Sequence, residues 1–277
     1  KELAQDAARR SYAVPSFCAW SAEAAKTILE TAELLNAPVI LMHSWSEISI
    51  TGPQVVSAWA RRLIQEHPVP ASLHLDHGRS MDQVVRCLEA GYTSVMLDLS
   101  PLPFEENAAG MREAVGAARR SGASVEGELG AVGRTDQVTG EGGPASSLTD
   151  PEDAALFVER TGVDLLAVSI GNSHGLYTTL PHLDFERLAG IHRRVGVPLV
   201  LHGGSGTPEE DLKRAVSLGI AKINVASELV QAVRDSLTEQ WGSGRNLWLP
   251  FAFRPALERM AEVVKRWLVR TGAAGKA

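Results

Sequence analysis

The chain has 277 residues, which is enough for one large domain or two small ones with an ample core. Its net charge of −6 argues against nucleic acid or an anionic membrane as a partner. Two cysteines, Cys18 and Cys87, cannot build a disulfide framework or a Cys-rich zinc motif. No apolar run approaches the roughly 18 residues that span a bilayer, and the charged amphipathic start does not resemble a signal peptide. We therefore expect a cytoplasmic protein.

Short apolar runs with β-forming composition recur along the chain, and helical segments separate them. The runs are 13–17, 38–42, 71–75, 93–97, 123–129, 164–170, 198–201 and 220–225. After a first helix at 1–10, the helical segments are 22–35, 53–66, 81–90, 104–120, one that Thr149 caps, 185–194, 207–218, 227–240 and 255–270. Polar loop residues follow the second run.

Apolar strands that alternate with helices predict parallel βαβ units, since such strands are covered on both faces. Eight of them predict an α/β fold of the (β/α)8 TIM barrel class with extra terminal helices. A doubly wound open sheet is the alternative. Its dinucleotide-binding version has no support, because no Gly-x-Gly-x-x-Gly follows the first strand.

One domain is expected over 1–277. The glycine- and serine-rich stretch 131–148 has no hydrophobic period, which is typical of a mobile functional loop inside a compact domain. A helical extension at 241–277 ends the chain.

Ionisable residues stand where the predicted strands end. They are Asp76 and His77 on the third strand, Asp98 on the fourth, Glu126 and Glu128 on the fifth, His174 after the sixth and His202 after the seventh. In a barrel the carboxyl ends of the strands share one mouth, so these side chains are expected to meet there.

Three of the histidines, His77, His174 and His202, are each followed by glycine. Glycine lets the backbone approach a ligand or metal closely. Three neutral imidazoles with an open fourth position make a catalytic zinc site. A hydrogen-bonded structural role is the alternative for any single histidine. The other five histidines show no such placement, and we interpret them as surface or structural residues: His43, His67, His74, His182 and His192.

Two further strand ends, 203–206 and 224–227, lie on the strands whose loops commonly bind phosphate in barrels. Ordinary helix capping, with Ser227 as the cap, is the alternative. A metal and a phosphate in one mouth suggest chemistry on a phosphorylated carbonyl compound. Zinc could polarise the carbonyl and stabilise an enediolate while carboxylates move protons. Hydrolysis by a zinc-bound hydroxide needs the same residue types and stays open.

Five motifs carry a resemblance that spans nearly the whole chain: residues 74–78 (HLDHG), 96–100 (MLDLS), 125–130 (VEGELG), 174–177 (HGLY) and 202–206 (HGGSG). In this order and spacing they resemble the class II, metal-dependent ketose-bisphosphate aldolases, which include fructose- and tagatose-bisphosphate aldolases. The resemblance implies a barrel lyase that cleaves a sugar phosphate.

The resemblance also implies roles at the metal. His77, His174 and His202 would hold the catalytic zinc. Asp76 would be the acid/base at the C4 hydroxyl when the C3–C4 bond breaks. Asp98 and Glu128 match positions that form an alternative metal site or support the first one.

For the substrate, the resemblance implies binding of dihydroxyacetone phosphate by Gly175, Gly203, Gly204, Ser205, Asn224, Val225, Ala226 and Ser227. Near that phosphate the family holds a monovalent cation, Na⁺ or K⁺, on backbone carbonyls. Arg245 matches a segment that binds the far phosphate, and Ser44 matches the family's serine after the second strand.

Three departures from the family pattern concern the other half of the substrate. The family's asparagine after the first strand is Cys18 here, and a thiol cannot replace its hydrogen bonding. The loop glutamate that takes the proton from C3 is absent, and Asp136 is the candidate in its place, with Glu141 as the alternative. Ser243-Gly244 precedes Arg245 where the family has Asp-Pro.

Three hypotheses follow. The first is zinc-dependent aldol cleavage of a ketose (bis)phosphate to dihydroxyacetone phosphate and an aldehyde. The second keeps this lyase chemistry on a ketose monophosphate or a modified sugar phosphate. The third is a catalytically silent paralogue that binds a sugar phosphate. Family members are usually dimers or tetramers, so we expect a homo-oligomer, with the apolar stripe of the helix 255–270 packed against a neighbour.

Overall fold

The computed structural model describes residues 1–134, 147–175, 181–244 and 248–277. Within them the strands are β1 (Val14–Cys18), β2 (Val39–Ser44), β3 (Ala71–Gly78), β4 (Ser94–Leu97), β5 (Ser124–Leu129), β6 (Gly133–Arg134), β7 (Leu165–Val168), β8 (Ser173–His174), β9 (Leu199–Leu201) and β10 (Ile220–Val225). Eight of these strands, all except β6 and β8, close into a barrel of parallel strands in the order β1-β10-β9-β7-β5-β4-β3-β2. Val14 pairs with Lys222 and Phe17 with Val225 where the barrel closes. The predicted TIM barrel is confirmed, and the open sheet is excluded.

The helices of the described residues surround this barrel. They are α1 (Glu2–Arg9), α2 (Ala22–Leu34), α3 (Trp45–Thr51), α4 (Pro53–Glu66), α5 (Met81–Glu89), α6 (Phe104–Ser121), α7 (Pro151–Thr161), α8 (Phe185–His192), α9 (Glu209–Ser217), α10 (Ser227–Gly242) and α11 (Leu249–Arg270). Because they cover the strands from outside, all six residues of β10 are buried. No helix in the described ranges combines the length and apolar character that a membrane crossing needs.

Local sequence signals explain several helix ends. The Ser21 hydroxyl accepts a hydrogen bond from Ala24 N at 3.3 Å, and Ser80 accepts one from Gln83 N at 3.3 Å. Each therefore satisfies an otherwise unpaired N–H at the start of its helix. Gly122 ends α6 in the left-handed conformation at φ 68°, which costs little without a Cβ.

Two local predictions were wrong. The residues after β2 form helix α3 rather than a loop, because Ser44 and Glu47 make a capping box. Asp150, not Thr149, caps α7, since its carboxylate accepts from Glu152 N at 2.8 Å and from Asp153 N at 3.2 Å. The Thr149 hydroxyl instead accepts from Ser169 N at 2.8 Å.

The terminal helix α11 begins at Leu249 rather than at Pro255. Pro250 lies in its first turn, where a missing N–H costs nothing, and Pro255 lies in the next turn. Its apolar stripe, which includes Met260 and Trp267, is buried against α2 and α10 of the same chain. The expectation that this stripe packs against a neighbouring chain was therefore wrong.

We expect Trp267→Ala to lower the free energy of unfolding by roughly 3–5 kcal/mol, because Trp267 is fully buried between α11 and the barrel. Val269→Ala is the matched control on the same helix, since Val269 is 58% exposed and should change stability by less than about 0.5 kcal/mol. Denaturant titration of both variants measures the difference. Equal effects would show that α11 does not anchor on the barrel.

Candidate active site

Three histidine rings meet at the carboxyl end of the barrel strands. The centroid of the His77 ring lies 4.9 Å from that of His174 and 4.7 Å from that of His202. The ring centroids of His174 and His202 lie 5.7 Å apart. One ring nitrogen from each lies within 4.8 Å of the others. The histidines that the sequence placed at three separate strand ends, His77, His174 and His202, therefore form one histidine cluster.

His77 enters the cluster through an irregularity in β3. Side chains alternate along a strand, so Asp76 and His77 would point to opposite faces in a regular one. The pairing of β3 with β4 shifts between Leu75 and Gly78, and His77 has φ 48°. A positive φ is costly for a residue with a Cβ and is found mostly where function requires it. The distortion brings two consecutive side chains to the same mouth.

His174 is held by structure that the sequence analysis missed. Strands β6 and β8 pair outside the barrel, with Gly133 opposite Ser173. The loop after β9 packs tightly on β8, since a Cβ on Gly203 would lie 1.9 Å from Ser173 O. The buried Asn172 side chain donates to His202 O at 3.0 Å. These contacts place His174 beside His202.

His202 is buried between two carboxylates. Its Nε2 lies 2.9 Å from Glu126 Oε1, and its Nδ1 lies 3.1 Å from Glu128 Oε2. Burial lowers the pKa of His202, but Glu126 and Glu128 outweigh it and raise the pKa to about 10. A positive charge at Nδ1, whether proton or metal ion, is stabilised by the same carboxylates.

Asp98 orients His77. Its Oδ2 lies 2.8 Å from His77 Nδ1, and its Oδ1 accepts from the Ser100 hydroxyl at 2.7 Å. Burial raises the pKa of Asp98, but His77 and Ser100 outweigh it and hold the pKa well below its usual range. His77, Asp98 and Glu128 also form a second group whose ligand atoms lie within 4.8 Å of one another.

The donor set fits a metal ion. Three buried atoms of its described residues form no hydrogen bond: His77 Nε2, His202 Nδ1 and Glu128 Oε2. Buried polar atoms are nearly always paired, so unpaired ones that converge on one place indicate a bound group. Imidazole and carboxylate donors suit divalent transition metals. The histidine cluster is thus a candidate metal centre.

Asp76 lies beside this centre with its carboxylate held in place. Asn224 Nδ2 donates to Asp76 Oδ1 at 2.8 Å, and Asp76 is 9% exposed. Burial raises the pKa of Asp76, but the charges of His77 and His202 outweigh it and lower the pKa. An ionised carboxylate next to a metal centre can accept a proton from a substrate hydroxyl.

The predicted phosphate-binding residues lie together at the ends of β9 and β10. Helix α10 begins at Ser227 without a side-chain cap, because Ala226 is its N-cap. The expectation that Ser227 caps this helix was wrong. Ala226 offers no side-chain acceptor to the first turn, where Glu228 N donates to Ser205 Oγ instead, and a helix N-terminus is a place where an anion can bind. Val225 ends β10 directly before it.

The glycines of the loop after β9 have a packing reason. A Cβ on Gly204 would lie 2.5 Å from Ile223 Cγ2, and Gly204 N donates to Asn224 O at 3.0 Å. Ser205 Oγ accepts from Glu228 N at 3.3 Å, which joins the loop to α10. Gly175, at φ 100°, is buried after β8. The loop is therefore built by close backbone contacts between neighbouring strands.

Ser44 and Cys18 lie on the other side of the mouth. Both the N–H and the hydroxyl of Ser44 donate to Glu47 Oε2 at 2.6 Å. Ser44 pairs in register with Asp76 across β2 and β3. Burial, with smaller contributions from Glu47 and Asp76, raises the pKa of Cys18 well above its usual value. This side of the mouth is acidic among the described residues.

Some predicted residues lie outside the described ranges, so their predicted roles stay predictions. They are Asp136, Glu141 and Arg245.

Sequence reasoning missed a buried ion pair. Lys222 Nζ lies 2.7 Å from Glu126 Oε2, and His74 is buried next to it. A lysine inside the apolar run 220–225 was the available signal, because unpaired lysine is almost never fully buried.

The comparisons with known proteins agree with this geometry. Residues 1–276 match the family model described as fructose-bisphosphate aldolase class-II. The chain is 40% identical over 277 residues to the D-tagatose-1,6-bisphosphate aldolase subunit GatY of Klebsiella oxytoca, covering 100% of this chain and 98% of that relative.

Solved structures are similar over the same extent. The YdjI aldolase from Escherichia coli K12 aligns with a TM-score of 0.87 and 36% identity, over 100% of this chain and 97% of that one. The fructose-bisphosphate aldolase from Campylobacter jejuni, at 23% identity, shares the fold with a TM-score of 0.84, over 100% and 95% of the two chains.

A closed parallel barrel with a candidate metal centre at its mouth defines the class of enzyme. The chain belongs to the class-II fructose-bisphosphate aldolase family. The expectation of an aldolase, a carbon–carbon lyase, is confirmed.

Proposed function

We propose that the protein catalyses reversible aldol cleavage of a ketose phosphate to dihydroxyacetone phosphate and an aldehyde, with Zn²⁺ at the histidine cluster. The observation that carries the proposal is the convergence of three histidine nitrogens within 4.8 Å beside the buried Asp76 carboxylate. The name of the Klebsiella oxytoca relative supports a ketose bisphosphate as the substrate class.

The metal ligands are His77 through Nε2, His202 through Nδ1, and His174. The other ring nitrogens of His77 and His202 are engaged by Asp98 and Glu126, which leaves these two atoms for the metal. A zinc ion bound there would supply a Lewis acid for the ketone and for the negative charge that develops on it. Glu128 offers a carboxylate to a cation at the same place.

Asp76 accepts the proton from the O4 hydroxyl of the substrate in the direction of cleavage. Its carboxylate is ionised, and Asn224 fixes one of its oxygens, so the other can accept the hydroxyl proton as the C3–C4 bond breaks. Asp136, with Glu141 as the alternative, is proposed for the proton at C3 on the resemblance alone.

The phosphate of dihydroxyacetone phosphate is proposed to bind at Gly175, Gly203, Gly204, Ser205 and the segment 224–227. The uncapped start of α10 supports this assignment. A monovalent cation, Na⁺ or K⁺, near this phosphate, a homo-oligomeric assembly and the roles of Ser44 and Arg245 are proposed on the resemblance. A cytoplasmic location is proposed on the composition of the chain.

Removal of the metal should abolish activity. After dialysis against a chelator, we expect cleavage to fall to background and to return with stoichiometric Zn²⁺ but not with Mg²⁺, because imidazole donors favour zinc over magnesium. A coupled assay for dihydroxyacetone phosphate measures this. Undiminished cleavage in protein shown to hold no metal would contradict the proposal.

Asp76→Asn should lower kcat for cleavage by roughly 10²–10⁴-fold, because the amide cannot accept the O4 proton. Exchange of the C3 proton of dihydroxyacetone phosphate with solvent should persist, since Asp76 acts only at O4. Asp82→Asn, an exposed change on α5, is the control. If exchange and cleavage fall together, the assignment of Asp76 to O4 is wrong.

A second candidate function is cleavage of a ketose monophosphate. Glu47 places a carboxylate beside Ser44, and the charge of Glu47 helps to raise the pKa of the Cys18 thiol on the neighbouring strand. A negative side chain repels a second phosphate at this side of the mouth. The aldehyde product would then carry no phosphate.

Comparing a ketose 1-phosphate with the corresponding 1,6-bisphosphate tests this candidate. This second candidate predicts a higher kcat/KM for the monophosphate, and it predicts that Glu47→Gln raises kcat/KM for the bisphosphate by up to roughly tenfold. Glutamine keeps the capping box and removes only the charge. Glu89→Gln, at an exposed position on α5, is the control. A wild-type preference for the bisphosphate would rule the candidate out.

A further inference from the structure

A layer of ionisable side chains lies inside the barrel beneath the histidine cluster. It consists of Glu126 on β5, Lys222 on β10 and His74 on β3, which are 0%, 1% and 1% exposed. The inside of a TIM barrel is usually filled by branched apolar side chains. Removing charges from water costs several kcal/mol per ion, and an apolar pair of similar size is often as stable. Stability alone therefore does not account for this layer.

The layer is a continuous chain of polar contacts that ends at a metal ligand. Ser94 Oγ lies 2.8 Å from His74 Nδ1, and His74 Nε2 lies 3.4 Å from Lys222 Nζ. Lys222 Nζ lies 2.7 Å from Glu126 Oε2. Glu126 Oε1 lies 2.9 Å from Nε2 of His202.

The direction of these hydrogen bonds follows from the chemistry of the groups. A lysine ammonium only donates, so His74 Nε2 must accept, and His74 is neutral with its proton on Nδ1 toward Ser94. Burial, then the charge of Lys222, lowers the pKa of His74 to about 3, which agrees with a neutral ring. Lys222 also donates to Glu126 and keeps it ionised.

An ionised Glu126 can only accept, so His202 must donate from Nε2. With one proton held on Nε2, His202 has Nδ1 as the nitrogen that faces the histidine cluster and can exchange its proton for a metal ion. The tautomer and the ring plane of His202 are therefore both set from below, by residues that do not face the substrate.

We propose that Glu126 and Lys222 are positioning residues that set the tautomer of His202 for metal binding. Lys222 holds the Glu126 carboxylate in one orientation, and Glu126 holds the imidazole. The proposal rests on the proposed metal site, but it does not depend on which sugar phosphate is cleaved.

Metal affinity separates this role from a merely structural one. Glu126→Gln keeps the size of the side chain but removes the acceptor charge. Glu126→Gln combined with Lys222→Met also removes the unpaired lysine charge and so protects folding. We expect both variants to bind Zn²⁺ roughly 10–100-fold more weakly than the wild type. With Co²⁺ as the probe, the visible absorption of the site should also shift.

Lys213→Met, at an exposed lysine on α9 that pairs with Glu209, is the matched control and should leave metal affinity unchanged. Unchanged Zn²⁺ affinity in folded Glu126→Gln would overturn the positioning role. A wild-type protein that binds no zinc would instead overturn the proposed function, so the two failures are distinguishable.

The wild-type protein gives a test that needs no variant to fold. In ¹⁵N-histidine NMR spectra of the zinc-loaded chain, we expect the assigned His202 ring to carry its proton on Nε2 and His74 to carry its proton on Nδ1. A His202 ring protonated on Nδ1 and coordinated through Nε2 would overturn the proposal.

Discussion

The placement of His202 between Glu126 and Glu128 is the interaction on which the candidate site depends. All three side chains are at most 2% exposed, so each charge must be compensated within the protein. Glu126 faces Lys222 below, whereas Glu128 Oε2 and His202 Nδ1 lie 3.1 Å apart above and form no hydrogen bond. The charge of Glu126 is thus compensated within the protein by Lys222. Glu128 and His202 offer two buried donor atoms to a cation.

Close backbone packing brings His174 to His202, and a distorted strand brings His77 there. The loop after β9 contacts Ser173 so closely that only glycine fits at 203, and this contact places His174 beside His202. The distortion of β3 does the same for His77, at the cost of a positive φ. Both features bring a ring into the cluster that regular strands would not place there. The geometry of the cluster is therefore built into the backbone as well as the side chains.

Much of this was predictable, for identifiable reasons. The eight barrel strands are short apolar runs between helices, and the rule that strand ends share a mouth was sufficient to place His77, His174 and His202 together. The β6–β8 pair was missed because two residues carry no periodicity. The Lys222–Glu126 pair was missed because its partners lie 96 positions apart in the chain. Helix α3 was missed although its capping box is local, since its composition is that of a polar loop.

The two ends of the candidate substrate site differ in their chemical groups, since one is formed by backbone groups and the other by side chains. The end proposed to bind phosphate consists of backbone N–H groups and glycines, which are held by strand packing and leave little room for change. The opposite end uses the side chains of Cys18, Ser44 and Glu47, which come from the end of β1, the end of β2 and the first turn of α3. Asp76 adjoins this end through its register with Ser44, and its charge contributes to the raised pKa of Cys18. Substitution at Cys18 or Glu47 can therefore alter which aldehyde is accepted while the metal ligands and the phosphate loop keep their positions.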